Sequence, residues 1–184
     1  MHHNKLWLHN AVLFGTLISL SVWRLAFGSW GLNLYLLWWW LGAVLGFTFV
    51  FADRFVYVYF THPQETLSKF VRGLVKRGSL AAAVMMLLSD RHAPRQLVMR
   101  SVLFLAVWVV IGFLAMTSSV SPFGRGLVFG MGLHLAFDLV TDYLGRAREV
   151  SLWFWQIKRP MDSNEITAVV WGYLILFAII AWLL

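Results

Sequence analysis

The sequence predicts an all-α, polytopic integral membrane protein with about five transmembrane helices and an amphipathic, interfacial helical connector. Three observations predict it. Of 184 residues, 60% are hydrophobic and only 12% charged, with a mean hydropathy of +0.74, a balance foreign to a water-soluble domain of this size. Apolar runs at about 6–27, 32–60, 97–117, 126–144 and 166–184 each approach or exceed the roughly 20 residues that a spanning helix needs. The sequence has no ten-residue segments of alternating hydrophobicity, so the helix is the remaining way to satisfy backbone polar groups in hydrocarbon.

The elements follow in order, within a single domain covering 1–184. The first run is longer than a signal-peptide core, contains Arg24 and lacks a small-x-small cleavage site, so it is expected to remain as helix one. Helix two, 32–60, ends at Thr61-His62-Pro63, because proline disfavours helix for the residue before it and suits the first turn of the next. A long connection, 61–96, follows. Within it Leu67, Phe70, Val71, Leu74 and Val75 oppose Lys69, Arg72, Lys76 and Arg77, the pattern of a helix lying in the headgroup plane. Gly78-Ser79 breaks that helix. The run Leu80 to Leu88, closed by Ser89-Asp90-Arg91, is too short to span, and Pro94 marks the step into helix three. Cysteine is absent, which excludes disulfides and thiolate metal sites.

Orientation follows from Lys and Arg, which in short loops stay cytoplasmic. Lys5 precedes helix one; Lys69, Arg72, Lys76, Arg77, Arg91, Arg95 and Arg100 lie between helices two and three or open helix three; Arg146, Arg148, Lys158 and Arg159 lie between four and five. Only Arg24, Arg54 and Arg125 fall elsewhere. The expectation is a multi-pass protein of the cell (inner) membrane with a cytoplasmic N-terminus and an external C-terminus. The net charge of +7 then belongs to the cytoplasmic face, where it favours anionic lipid headgroups over nucleic acid. Trp30, Trp38, Trp39 and Trp40, and at the other face Trp153 and Trp155, read as interfacial belts.

Against this background the intramembrane polar residues stand out, because a carboxylate at bilayer depth costs roughly 3 kcal/mol on insertion scales. Gly126, Gly130, His134, Asp138 and Asp142 share one i, i+4 line, and Gly-x-x-x-Gly lets another backbone approach, so this stripe should face protein. Asp53 on helix two lies at matching depth. Asp53, His134 and Asp138 therefore form a candidate metal-ligand set suited to Zn or Mn, with Asp142 as a further ligand, an orienting group or a general base. Structural polar packing and a proton or ion relay fit the spacing too. Ser101, Ser118, Ser119 and Ser121 belong to no nucleophile motif.

The order of these residues resembles the YdjM-like family of membrane-bound, metal-dependent hydrolases. The resemblance covers about residues 50–145 and is carried by Gly132-Leu133-His134-Leu135-Ala136-Phe137-Asp138, which matches the family's Gly-rich His-x-x-x-Asp helix. The family's Asp-x-Asp-His element corresponds here to Ala52-Asp53-Arg54-Phe55, and its His-Arg-Gly-x-Thr-His-Ser element to Arg95-Gln96-Leu97-Val98-Met99-Arg100-Ser101, with arginine at both histidine positions. Arg100 can pair with Asp53 or Asp138 and occupy the charge role of a metal. His62 and His92 are the other imidazoles of the connector.

Two functions follow. One is a membrane-embedded metal-dependent hydrolase acting near the cytoplasmic leaflet on a lipid-linked ester or phosphoester. The other is a non-catalytic membrane scaffold or partner-binding protein in which Arg100 and the carboxylates form a buried network that specifies helix packing.

Overall fold

The computed structural model describes residues 3–28, 33–89, 96–118, 121–145 and 150–184, and every regular element among them is helical. Trp30, Asp90, Arg91, His92, Pro94, Arg95, Ser119, Arg146, Arg148 and Glu149, and the side chain of Lys5, lie outside the described residues. The helices are α1 (His3–Phe27), α2 (Leu34–Thr61), α3 (Thr66–Lys76), α4 (Leu80–Ser89), α5 (Val102–Thr117), α6 (Pro122–Gly145) and α7 (Ser163–Leu183), with a 3₁₀ turn at Leu152–Phe154. Trp7–Phe27, Leu34–Thr61, Pro122–Gly145 and Ser163–Leu183 are long and apolar enough to cross a membrane; Val102–Thr117 is apolar but shorter.

Local chemistry sets the boundaries and moves three of them from the expected positions. Ser101 caps α5 by accepting from the Phe104 amide at 3.2 Å, so this helix begins five residues later than its apolar run and residues 96–101 are not helical. Ser121 accepts from the Gly124 amide at 3.3 Å, and Pro122 takes the first helical position, which starts α6 ahead of Gly126. Asp162 and Glu165 form a reciprocal capping box, which starts α7 at Ser163. Between α3 and α4, Gly78 takes a φ of 77°, the left-handed conformation that ends a helix without the penalty a Cβ brings.

α6 is the most buried helix and touches α1, α2, α5 and α7. Its tightest neighbour is α2, and the reason is reciprocal. Gly126 and Gly130 meet the backbone of Trp39 and Ala43, while Gly42 and Gly46 on α2 meet the backbone of Phe123 and Leu127. A Cβ at any of the four would collide with a main-chain carbonyl, so two interlocked small-residue stripes fix this helix pair. Trp108 of α5 packs its ring on Gly132 and donates to the Val128 carbonyl at 3.0 Å, which docks the third helix. Trp39 is accordingly a core residue, buried between helices rather than lying in an interfacial belt, while Trp38 stays exposed.

The connector forms a second core. Val71, with Leu67, Leu74 and Val75, packs on Tyr57, Val58, Ala83, Leu87 and Leu97. The apolar face of α3 expected to rest among headgroups is thus mostly spent on protein. Phe70 remains exposed beside Lys69, Lys76 and Arg77, and Arg72 is half-buried, donating to the Pro63 carbonyl. Arg54 turns away from the polar stripe and donates to the Leu87 carbonyl near the end of α4, where a cation satisfies an orphan carbonyl.

Candidate functional site

α6 delivers His134, Asp138 and Asp142 to one side of its polar line, and all three are at least 97% buried. The Gly126–Gly130 stripe one turn above pulls α2 close, so the Phe47 carbonyl accepts from His134 Nδ1–H at 2.8 Å. That bond assigns the proton of the neutral ring to Nδ1 and leaves Nε2 as the lone-pair nitrogen, 3.6 Å from Asp138 Oδ2. α1 supplies a residue outside the sequence-derived set. His9 is 7% exposed, and its Nε2–H donates to Asp138 Oδ1 at 3.0 Å. The two imidazole rings lie 5.3 Å apart. One donor atom from each of His9, His134 and Asp138 lies within 4.8 Å of the others.

Asp53 does not join this group. It accepts from the Met99 amide at 2.6 Å, and the Val98 and Arg100 amides also point to it. Residues 96–101 lie outside any helix, so their amides lack helical partners, and the carboxylate of Asp53 serves those of 98–100. The sequence places Asp53 at the right depth; the structure gives its lone pairs to the main chain.

Arg100 begins at this segment and reaches α6. Its guanidinium pairs with Asp142 Oδ2, its Nε lies 3.7 Å from Asp138 Oδ2, and it sits 5.6 Å from the centroid of the Trp153 ring. Trp153 donates its indole N–H to Asp142 Oδ2 at 2.9 Å and is 1% exposed. Asp142 therefore serves as the anchor of Arg100, a different task from the general base considered for it. Trp153 is a wall of the site and not an interfacial anchor. Trp155, half a turn on, donates to the Leu97 carbonyl at 3.2 Å, tying the segment before α7 to the one before α5.

Aromatic rings close the group. His9 meets Phe137 edge-on with centroids 4.6 Å apart, and Phe51 approaches His134 edge-on at the same distance. Phe51 lies in a 3₁₀ turn, Val50–Ala52, and α2 ends in a π-helical turn, Tyr57–Thr61. On its other side Phe51 lines an apolar groove of about 340 Å³ with Phe55, Val84 and Leu87.

Sequence reasoning missed His9. The signal was present, since a histidine inside an apolar run long enough to span is a polar residue that needs a partner, as an aspartate there does. It was a lone residue with no periodic partner on its own helix, and only the contact between α1 and α6 gives it one.

No protein-family model matches the chain, and neither a curated protein nor a solved structure matches it.

Proposed function

We propose that this chain is a membrane-embedded, metal-dependent hydrolase acting near the cytoplasmic leaflet of the cell membrane on a lipid-linked ester or phosphoester. The observation that carries the reading is the buried convergence of His9, His134 and Asp138. Two imidazoles and one carboxylate are a donor set suited to Zn or Mn, with a position left for water. Their fit is supported by His134, whose Nδ1–H is held by the Phe47 carbonyl so that Nε2 is presented as a ligand atom. A divalent ion bound there would supply a water with a pKa lowered toward about 7 and polarise a substrate oxygen.

The chain's own residues do the rest. Asp142 and Trp153 hold Arg100 beside Asp138, where a guanidinium fork can orient a carbonyl or phosphoryl oxygen. Phe47, Phe51 and Phe137 keep bulk water from the imidazoles. The apolar groove behind Phe51 suits the hydrocarbon portion of a lipid substrate, one ring away from the site. The resemblance of Gly132–Asp138 to the His-x-x-x-Asp helix of the YdjM-like hydrolases agrees with this reading.

In this reading the chain crosses the membrane five times, N-terminus inside and C-terminus outside. α5, with 16 residues, covers about 24 Å at 1.5 Å per residue, and the non-helical segment 96–101 makes up the remaining depth of the hydrocarbon core.

The deciding experiment is the metal content of the detergent-purified protein by plasma mass spectrometry. Near-stoichiometric Zn or Mn is expected in the native chain, lost in His9→Ala, His134→Ala and Asp138→Ala, and retained in Asp53→Ala. A chain devoid of metal overturns the reading.

The pairing of Arg100 with Asp142 and Asp138 favours a second reading, a non-catalytic scaffold whose buried network neutralises itself. It requires the metal-free result together with a loss of folded protein in Asp138→Ala.

A further inference from the structure

The hairpin of α3 and α4 leaves two exposed faces of opposite character. On α3, Lys69, Phe70, Gly73, Lys76 and Arg77 fall on the side away from the buried Val71. The segment 66–89 contains Lys69, Arg72, Lys76 and Arg77 and no acidic residue. Arg72 is half-buried and donates to the Ser68 and Pro63 carbonyls, so the exposed charge of α3 is that of the other three. Glu65, just ahead of the helix, accepts from the Tyr57 hydroxyl. On α4 the run Leu80–Leu88 is apolar on every side. Ala83 and Leu87 are buried against the second core and Met86 partly so, whereas Leu80, Ala81, Ala82, Val84 and Met85 are exposed. A helix that is apolar all round belongs in protein or in lipid, and here protein covers one side.

The position of α4 along α2 decides what meets the other side. The Arg54 guanidinium of α2 donates to the Leu87 carbonyl, and Val84 and Leu87 share the apolar groove with Thr48, Phe51 and Phe55. Arg54 lies seven residues before Thr61, the end of α2, about 10 Å along the axis at 1.5 Å per residue. The end of α4 is therefore beside the apolar part of α2 and not beside its terminus. The ten residues of α4 cover about 15 Å, half of a hydrocarbon core of about 30 Å. A helix that stops inside hydrocarbon has end carbonyls that only protein can satisfy, and Arg54 brings such a donor to Leu87.

We propose that the α3–α4 hairpin is a leaflet anchor. α4 enters the hydrocarbon on the side of the membrane where α2 ends, and α3 stays at the surface, holding anionic phospholipid headgroups with Lys69, Lys76 and Arg77. Phe70, more than half exposed among those cations, seats at the boundary between headgroups and chains. Charge selects the occupant. A second copy of this face would set like charges against each other, and a nucleic acid would leave Met85 and Phe70 in water, so an anionic leaflet suits both faces. The anchor rests on α2 crossing a bilayer, and not on any chemistry at the His–Asp group.

Because the chain has no cysteine, bimane can be attached at single positions of the full chain in nanodiscs. The positions are Met85→Cys on α4, Gly73→Cys on α3, where the space around the Cβ position is open, and Val110→Cys on the exposed face of α5. Acyl-brominated phosphatidylcholine should quench the labels at the Met85 and Val110 sites alike, and aqueous iodide should quench neither. With bromine carried by phosphatidylglycerol in an equal mixture with phosphatidylcholine, the label at the Gly73 site should report that lipid enriched about fivefold or more over the Val110 site, the worth of one cation at an anionic surface. The triple variant Lys69→Gln, Lys76→Gln, Arg77→Gln should remove the enrichment. Iodide quenching at the Met85 site beside bromine quenching at the Val110 site overturns the anchor while leaving the bundle in the membrane. Protection of the Met85 site from both quenchers means that protein covers α4, and overturns it too. No bromine quenching at the Val110 site rejects the membrane reading and the anchor with it. Equal enrichment at the Gly73 and Val110 sites, or enrichment that survives the triple variant, overturns the role given to α3. Gel filtration establishes that each variant is folded, and Ala81→Cys, one turn back on the same face, replaces Met85→Cys should that variant aggregate.

Discussion

Arg100 is the residue on which the site turns. A buried guanidinium stripped of its partner is an uncompensated charge, and breaking such a pair costs about 3–5 kcal/mol. Asp142→Ala, which takes the nearer carboxylate from Arg100 and leaves it Asp138 at 3.7 Å and the Trp153 ring, should therefore lower thermal stability in detergent far more than the loss of one side chain suggests. The double variant Asp142→Leu with Arg100→Met should recover most of it, because apolar replacement of both members of a buried pair is close to neutral. Failure of the double variant to recover would mean that Asp142 acts through Trp153 and not through Arg100. Asp53 makes the opposite prediction. Asp53→Ala leaves the Met99 amide without its acceptor, a cost of about 1–3 kcal/mol, yet the three-residue group remains whole. Reduced stability with unchanged metal content is expected, by thermal unfolding and elemental analysis on the same sample.

At the scale of elements, the pairing of α2 with α6 positions everything else. Each of Gly42, Gly46, Gly126 and Gly130 faces main chain rather than a movable side chain, so a larger residue cannot be accommodated by a rotamer change. Gly130→Val should push α2 from α6, weaken the bond of His134 to the Phe47 carbonyl one turn away, and destabilise the fold by about 1–3 kcal/mol or more. Gly172, which has open space around its Cβ position, is the control: Gly172→Ala should be neutral or slightly stabilising. In the connector, Gly78→Ala forces a Cβ onto a positive φ and should cost about 1 kcal/mol, read as a lower midpoint for the α3–α4 unit in hydrogen exchange. An unchanged midpoint there would mean that the turn relaxes into another conformation.

For the whole molecule, the asymmetry of charge is the organising fact. Among the described residues, acidic side chains and most cations gather at one end of the helices, and Arg24 and Arg125 lie at the other. The absence of cysteine makes single-cysteine labelling clean. In sealed vesicles of one orientation, cysteines at Lys69 and at Ser121 should react with a membrane-impermeant maleimide from opposite sides. Labelling of both from one side would overturn the proposed crossing number. The Arg159–Glu165 fork, with bonds of 2.9 and 2.6 Å at the start of α7, is exposed and contributes little to stability.

Composition and apolar run length determined the helical class and the approximate position of each long helix, because bilayer thickness and backbone satisfaction leave few alternatives. The His134–Asp138–Asp142 line was legible for the same reason that Gly126 and Gly130 were: helical periodicity places i and i+4 on one face. Helix ends were readable in Ser101, Ser121-Pro122 and Asp162-x-x-Glu165, but hydropathy weighs those polar caps against a run rather than for a boundary. What tertiary structure alone decided is which buried group meets which. His9 reaches Asp138 across 129 positions of sequence, Asp53 turns to the backbone of 98–100, and Trp153 closes over Arg100. None of these has a period, because each depends on how two helices cross, and that crossing is set by side-chain volume at the glycine contacts and not by the pattern of any single helix.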